Sequence, residues 1–215
     1  RLGRWNMCLH MSQTMHFYAD TQADWVALAR YVQGLFPTYY DAKLWGCHPF
    51  LLTRMHLAPE PRDPGLLPHA RHFENMGQVF MRSGSGDEDT YAVIVAGGTI
   101  SQHKHYDNGH FCIYHRGFLA IDSGTRAGNA DQLQNYYAQT VAHNCILIDM
   151  PDEPVSPYWN GEVVVQEGGQ YRQIGSQVVA FETNDHYSYV AADCTPTYRP
   201  EKCDLALRQF VFVYP

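Results

Sequence analysis

Four side chains between Ser101 and Asn144 have the types and spacing that chemistry needs: His103, His105, Asp122 and His143. His103 and His105 are separated by one residue in Ser101-Gln-His-Lys-His-Tyr-Asp-Asn-Gly109. In an extended segment such a pair leaves the same face, so both imidazoles can share one site. Phe111-Cys-Ile-Tyr-His115 and Phe118-Leu-Ala-Ile-Asp122 read as two strands joined by a turn at Arg116-Gly117, which would return Asp122 towards the pair. His143 stands at the mouth of a further apolar run, Cys145-Ile-Leu-Ile-Asp149. Imidazoles with a carboxylate suit zinc, whose fourth position falls to water or another side chain. The same imidazoles titrate near neutral pH and can carry protons. The other histidines, His10, His16, His48, His56, His69, His72, His110, His115 and His186, read as surface or satisfied core residues.

The elements that would position these groups are mostly strands. Gln78–Arg82, Tyr91–Ala96, Phe111–Ile113, Phe118–Asp122, Cys145–Asp149, Glu162–Gln166, Val178–Glu182 and Gln209–Val213 carry the alternating or apolar runs of β structure, with turns at Ser83-Gly-Ser-Gly and Gly97-Gly98. The expected fold is therefore mainly β, an antiparallel β-sandwich with a short N-terminal α-helical segment. That segment is clearest at 21–36, where Trp25, Leu28, Ala29 and Val32 would share one helical face ending before Pro37. A second short helix is expected at 40–52, and the proline-rich stretch Pro59–Pro68 reads as a linker.

These blocks also resemble the heparinase II/III-like polysaccharide lyases, whose relatives include enzymes acting on alginate. The resemblance rests on His103-Lys-His105-Tyr-Asp107-Asn-Gly109-His-Phe111, Phe118-Leu-Ala-Ile-Asp122-Ser-Gly124, Tyr136-Tyr137-Ala-Gln-Thr-Val-Ala-His143-Asn144, and Tyr187-Ser-Tyr-Val-Ala-Ala-Asp193 followed by Tyr198. It covers the chain from about Phe73 onwards. It implies a mainly structural zinc held by His105, Asp122 and His143, with Asp107, Asn144 and Ser123 orienting the ligands. Metal binding that joins separate segments becomes folding free energy.

The chemistry implied is β-elimination at a uronic acid residue of an acidic polysaccharide, with heparin- or heparan-type polymers favoured over alginate. His103 would act on the substrate as carboxylate partner or base, and Tyr136 or Tyr137 would be an assisting phenol. Lys104 and Arg126 could bind the polymer's acidic groups, although each also reads as an ordinary solvated charge. In the family a helical toroid precedes the β domain and supplies the main catalytic tyrosine. Residues 1–70 are accordingly expected to be the end of that toroid and 71–215 a sandwich that continues beyond the chain. A missing partner segment or a homo-oligomer would cover the apolar strand signal at 203–215. The resemblance further implies a periplasmic or secreted setting.

Fifteen Lys and Arg against 22 Asp and Glu give a net charge of −7, which excludes a general basic field for nucleic acid. No apolar run is long enough for a membrane span, and Arg1-Leu-Gly-Arg-Trp-Asn has no signal-peptide pattern. The six cysteines lack Cys-x-x-Cys spacing. Cys112 and Cys145 read as buried thiols; Cys194 and Cys203 flank a segment where a bridge across a hairpin is conceivable but free thiols are favoured. Two rival functions share part of the pattern. A cupin-like oxygenase would use His-x-His, a carboxylate and a later histidine to hold iron, and a non-catalytic sugar-binding or structural β module would need no reaction at all.

Overall fold

The structure is a computed structural model that describes residues 15, 17–34, 60, 65, 67–100, 104–123, 132–154 and 168–215. The chain divides into two compact units, Arg1–Leu67 and Pro68–Pro215. In the first, helix α1 spans Ala23–Gly34 and places Asp24 in its first turn, where a carboxylate meets the positive end of the helix dipole. Val26 and Ala29, one turn apart, bury against Met15. Trp25, expected on the apolar face, is instead 55% exposed and meets the Tyr18 ring edge-on at 5.4 Å. The buried stripe is therefore shifted by one residue, and the indole finds partial cover locally. The helix expected at 40–52 lies outside the described residues.

The second unit is a pair of antiparallel sheets. Strands β1 (Ala70–Phe73), β2 (Gln78–Arg82), β3 (Thr90–Val95), β4 (Phe111–His115) and β5 (Phe118–Ala120) form a meander in sequence order. Strands β6 (Gln177–Thr183), β7 (Tyr187–Asp193) and β8 (Leu207–Val213) form the other sheet. Val79, Met81, Ala92 and Ile94 from the first sheet pack with Val190 and Phe212 of the second and with Tyr214 just beyond β8. Alternation explains this face: in β2 Val79 and Met81 are buried while Phe80 points outward. The result is the expected sandwich.

Two strands, β1 and β7, were not anticipated as strands. Cys145–Asp149, expected to be one, is not: its backbone is tied at isolated points, with Ile148 N–H donating to Gly168 O at 2.8 Å and Tyr198 Oη donating to Ile146 O at 2.5 Å. Its apolar side chains Ile146 and Ile148 still fill the second core around Ala192, Cys194 and Tyr198. The run at 162–166 lies outside the described residues. Cys112, Cys145, Cys194 and Cys203 are free thiols, so no bridge joins Cys194 to Cys203. Burial pushes the Cys194 thiol up to about 11.

Two turns meet backbone to backbone at the end of the first sheet. Gly77 (φ 67°) and Gly98 (φ 83°) both occupy the left-handed region, and a Cβ on Gly77 would lie 2.2 Å from Gly97 O. Only glycine fits such an approach.

A buried polar network then fixes the loop after β3. Asn108, 1% exposed, donates from Nδ2 to Gln170 Oε1 at 3.0 Å and to Gln173 O at 3.1 Å, and its Oδ1 accepts from Ser176 Oγ at 2.5 Å. Ser176 Oγ also accepts the Gly97 N–H at 2.8 Å. Gln170 donates from Nε2 to Asn108 O, and its own N–H reaches Thr140 Oγ1, which donates to Tyr106 O. Asn108, Thr140, Gln170 and Ser176 together thus join the segments at 97, 106–108, 140 and 168–176. Because an unsatisfied buried polar group costs about 1–3 kcal/mol, Asn108→Ala should destabilise the chain by about 3 kcal/mol in urea unfolding. A loss below about 1 kcal/mol would mean that the network is not under load.

Candidate functional site

The buried network holds the segment Lys104–His110 as a loop. His105 leaves this loop just before Tyr106, whose ring packs with Leu133 and Ala138 and whose N–H donates to Ala138 O at 2.9 Å. The β4–β5 hairpin turns at Arg116, in a left-handed conformation (φ 55°), and delivers Asp122. His143 follows the 3₁₀ turn Thr140–Ala142 and is not at a strand mouth. Asn144 locks the arrangement, donating from Nδ2 to Phe111 O at 2.8 Å and to Ile121 O at 3.2 Å. Ser123 Oγ donates to Ala142 O at 2.6 Å. Both residues, expected to orient the ligands, contact main chain next to Asp122 and His143.

Three of the four expected groups converge. His143 Nδ1 lies 3.1 Å from Asp122 Oδ1, and the His105 and His143 ring centroids are 5.3 Å apart. His110, which the sequence reading treated as ordinary, joins them: its ring is 5.2 Å from that of His143, and donor atoms of His110, Asp122 and His143 lie within 4.8 Å of one another. The hairpin register carries the missed signal. Continuing the Ile113↔Ala120 pairing by two residues sets Phe111 opposite Asp122 and His110 beside it. His103 and Arg126 lie outside the described residues. Tyr136 and Tyr137 stand in a π-helical turn, Leu133–Tyr137, with rings 5.5 Å apart. Tyr136 Oη is 3.2 Å from Ser123 Oγ. Lys104 is half-buried, its ammonium donating to Gly97 O at 2.9 Å, and burial lowers its pKa.

Desolvation sets the protonation states. Burial pushes His105 and His110 down to about 4, with charge on His143 acting in the same direction and Asp122 opposing it. Both imidazoles are therefore neutral at pH 7. Asp107 is raised to about 6, chiefly by burial; the residue as a whole is half-buried, but its Oδ1 is sealed and has no hydrogen bond among the described residues.

The donors fit a zinc ion. The His143 side chain is fully buried, yet neither ring nitrogen has a hydrogen-bond partner among the described residues, because the contact with Asp122 lacks hydrogen-bond geometry. Burying unsatisfied imidazole nitrogen is costly unless its lone pair is used. His110 differs. Its Nδ1 accepts the Asn144 N–H at 3.0 Å, so the neutral ring keeps its proton on Nε2, 3.1 Å from Cys112 Sγ. That tautomer leaves no lone pair of His110 free for a metal.

A family model described as heparinase II/III-like, C-terminal, matches residues 66–211. The chain belongs to this family. Solved structures with the heparinase-like fold include a heparinase III with methylated lysines, at TM-score 0.54 and 20% identity, matched over 80% of this chain and 24% of that one. Heparan sulfate lyase HepC from Pedobacter heparinus matches over 96% of this chain and 26% of its own length, at TM-score 0.50 and 18% identity. A HepC mutant from the same organism gives TM-score 0.51 and 17% identity, over 97% and 26% of the two chains. The heparinase-like chain thus spans about a quarter of the length of these structures. No curated protein matches it.

Proposed function

We propose that this chain is part of a polysaccharide lyase that cleaves a uronate-containing polymer by β-elimination, with residues 1–70 ending its helical toroid. The observation that carries this reading is the buried His143 with two unbonded ring nitrogens beside Asp122, between His105 and His110, in a chain of the heparinase II/III-like family. The relatives named heparinase III and heparan sulfate lyase favour a heparan-type substrate, and enzymes of that kind would work in the periplasm or outside the cell. No helix among the described residues is long and apolar enough to cross a membrane.

Zinc bound by His105, Asp122 and His143 would supply cross-linking of three chain segments. The reaction itself falls to side chains. A base removes the C5 proton of the uronate, the electron pair forms the C4–C5 double bond, and the C4–O bond breaks with protonation of the departing oxygen. His103, two residues before His105, is suited to the proton or the carboxylate. Tyr136 or Tyr137 would assist as a phenol, while Lys104 and Arg126 would meet acidic groups of the polymer.

The test is product chemistry. The parent enzyme, incubated with heparan-type, other glycosaminoglycan and alginate polymers, should release oligosaccharides ending in an unsaturated uronate, read by ultraviolet absorbance and mass spectrometry. Products heavier by one water would instead indicate hydrolysis and overturn the reading.

A further inference from the structure

A cleft of about 1020 Å³ opens between the β1–β2 turn, the Gly97–Thr99 turn and the segment Arg172–Phe181. We propose that it is a subsite for a sugar unit bearing an acidic substituent, with Arg172 as the group that binds the anion. The ligand class rests on the uronate-polymer reading above, but the site is separate from the histidine cluster.

The chemistry of the walls supports a saccharide. Glu74 and Asn75 come from the β1–β2 turn and Gln177 from the start of β6, offering acceptors and donors for hydroxyl groups. His72 and Phe181 pair at 5.9 Å between ring centroids and form an apolar patch in the same cleft. Gly97, Gly98 and Gly175 line it with bare main chain in left-handed or extended positive-φ conformations, so a ligand can approach closely. A few polar groups around an apolar patch is the composition of a small-ligand site.

Charge at one lip selects for an anion. The guanidinium groups of Arg172 and Arg199 lie 4.8 and 5.0 Å from the centroid of the single Tyr171 ring. Arg199 shares Glu153 with Lys202, at 3.6 and 2.6 Å, whereas Arg172 forms no ion pair among the described residues. Its backbone is fixed on both sides: Arg172 N–H donates to Thr197 O at 3.3 Å, and Arg172 O and Gln173 O accept from Asn108 Nδ2. Gln173 Nε2 donates to Lys104 O at 2.7 Å. The main chain that carries the cation is thus fixed before any ligand arrives, which lowers the ordering cost of binding.

The experiment is a titration of the 215-residue chain with three tetrasaccharides, followed by calorimetry and NMR: a sulfated heparin fragment, an unsulfated glucuronate-containing fragment and neutral cellotetraose. Saturable binding of an acidic fragment is expected, weaker by about tenfold in Arg172→Ala, as for loss of one charge-assisted hydrogen-bonding group. Arg172→Lys should recover part of it, because the charge remains but the planar fork is lost. Preference between the two acidic fragments tells sulfate from carboxylate as the bound group. Arg116→Ala, on the exposed β4–β5 turn, is the control and should leave affinity unchanged. Equal affinity in Arg172→Ala, an equal loss in Arg116→Ala, or no acidic-fragment binding at all would each overturn the subsite. Failure of the lyase reading is distinct: it shows in the product assay, whereas this titration reads binding alone.

Discussion

His105→Ala should purify without the zinc expected in the parent chain and should unfold about 8–16 °C below it. The argument combines geometry with linkage. Three donors from separate segments would share one ion, and a ligand bound only by the folded state at a thousand times its dissociation constant contributes about 4 kcal/mol. For a chain of this size each kcal/mol moves the midpoint by about 2–4 °C. The informative comparison is His110→Ala. His110 stands equally close to His143, but its Nδ1 is occupied by the Asn144 N–H. That variant should keep a full complement of zinc while losing packing stability. Elemental analysis and thermal unfolding of the two variants separate the roles. Full metal content in His105→Ala, or its loss only in His110→Ala, would exchange the third ligand. Iron in the parent chain would favour an oxygenase.

The second large effect is on turnover. In the parent enzyme His103→Ala should retain zinc and thermal stability yet lower the rate of unsaturated product formation by about 10²–10⁴-fold, the usual contribution of a positioned acid or base. His103 is one residue removed from a proposed metal ligand, so anchoring His105 would also fix where the neighbouring imidazole is delivered. The metal would serve position, and the free imidazole would serve the proton or the carboxylate. Metal content measured beside the rate makes the distinction. A variant that turns over normally removes His103 from the mechanism; one that loses zinc as well makes it a ligand.

Much of this architecture could be read from local pattern. β2, β3, β4, β6 and β8 fall on the alternating or apolar runs that suggested them, and the Arg116-Gly117 turn returns Asp122 as its spacing implied. The departures have physical causes. β1 is a short Ala-Arg-His-Phe segment with little β signal of its own, and it exists because β2 offers it a paired edge. Cys145–Asp149 has strand composition but fills a core without joining a ladder, a distinction made by neighbours and not by propensity. His110 was hidden for a similar reason: its importance lies in a hairpin register and in one main-chain hydrogen bond, and a list of residue types contains neither. Tertiary contact decides such cases.

At Gly77 and Gly98 the same kind of contact reaches further than stability. Each glycine occupies the space that a side chain on the other would need, since a Cβ on Gly98 would lie 2.7 Å from Gly77 N. The two positions therefore behave as one heritable unit, closed to variation together. Their neighbours Asn75 and Thr99 line the cleft and are under no such restriction. A lineage could change what the cleft prefers by altering these flanking residues, generation after generation, while the frame that holds them stays still.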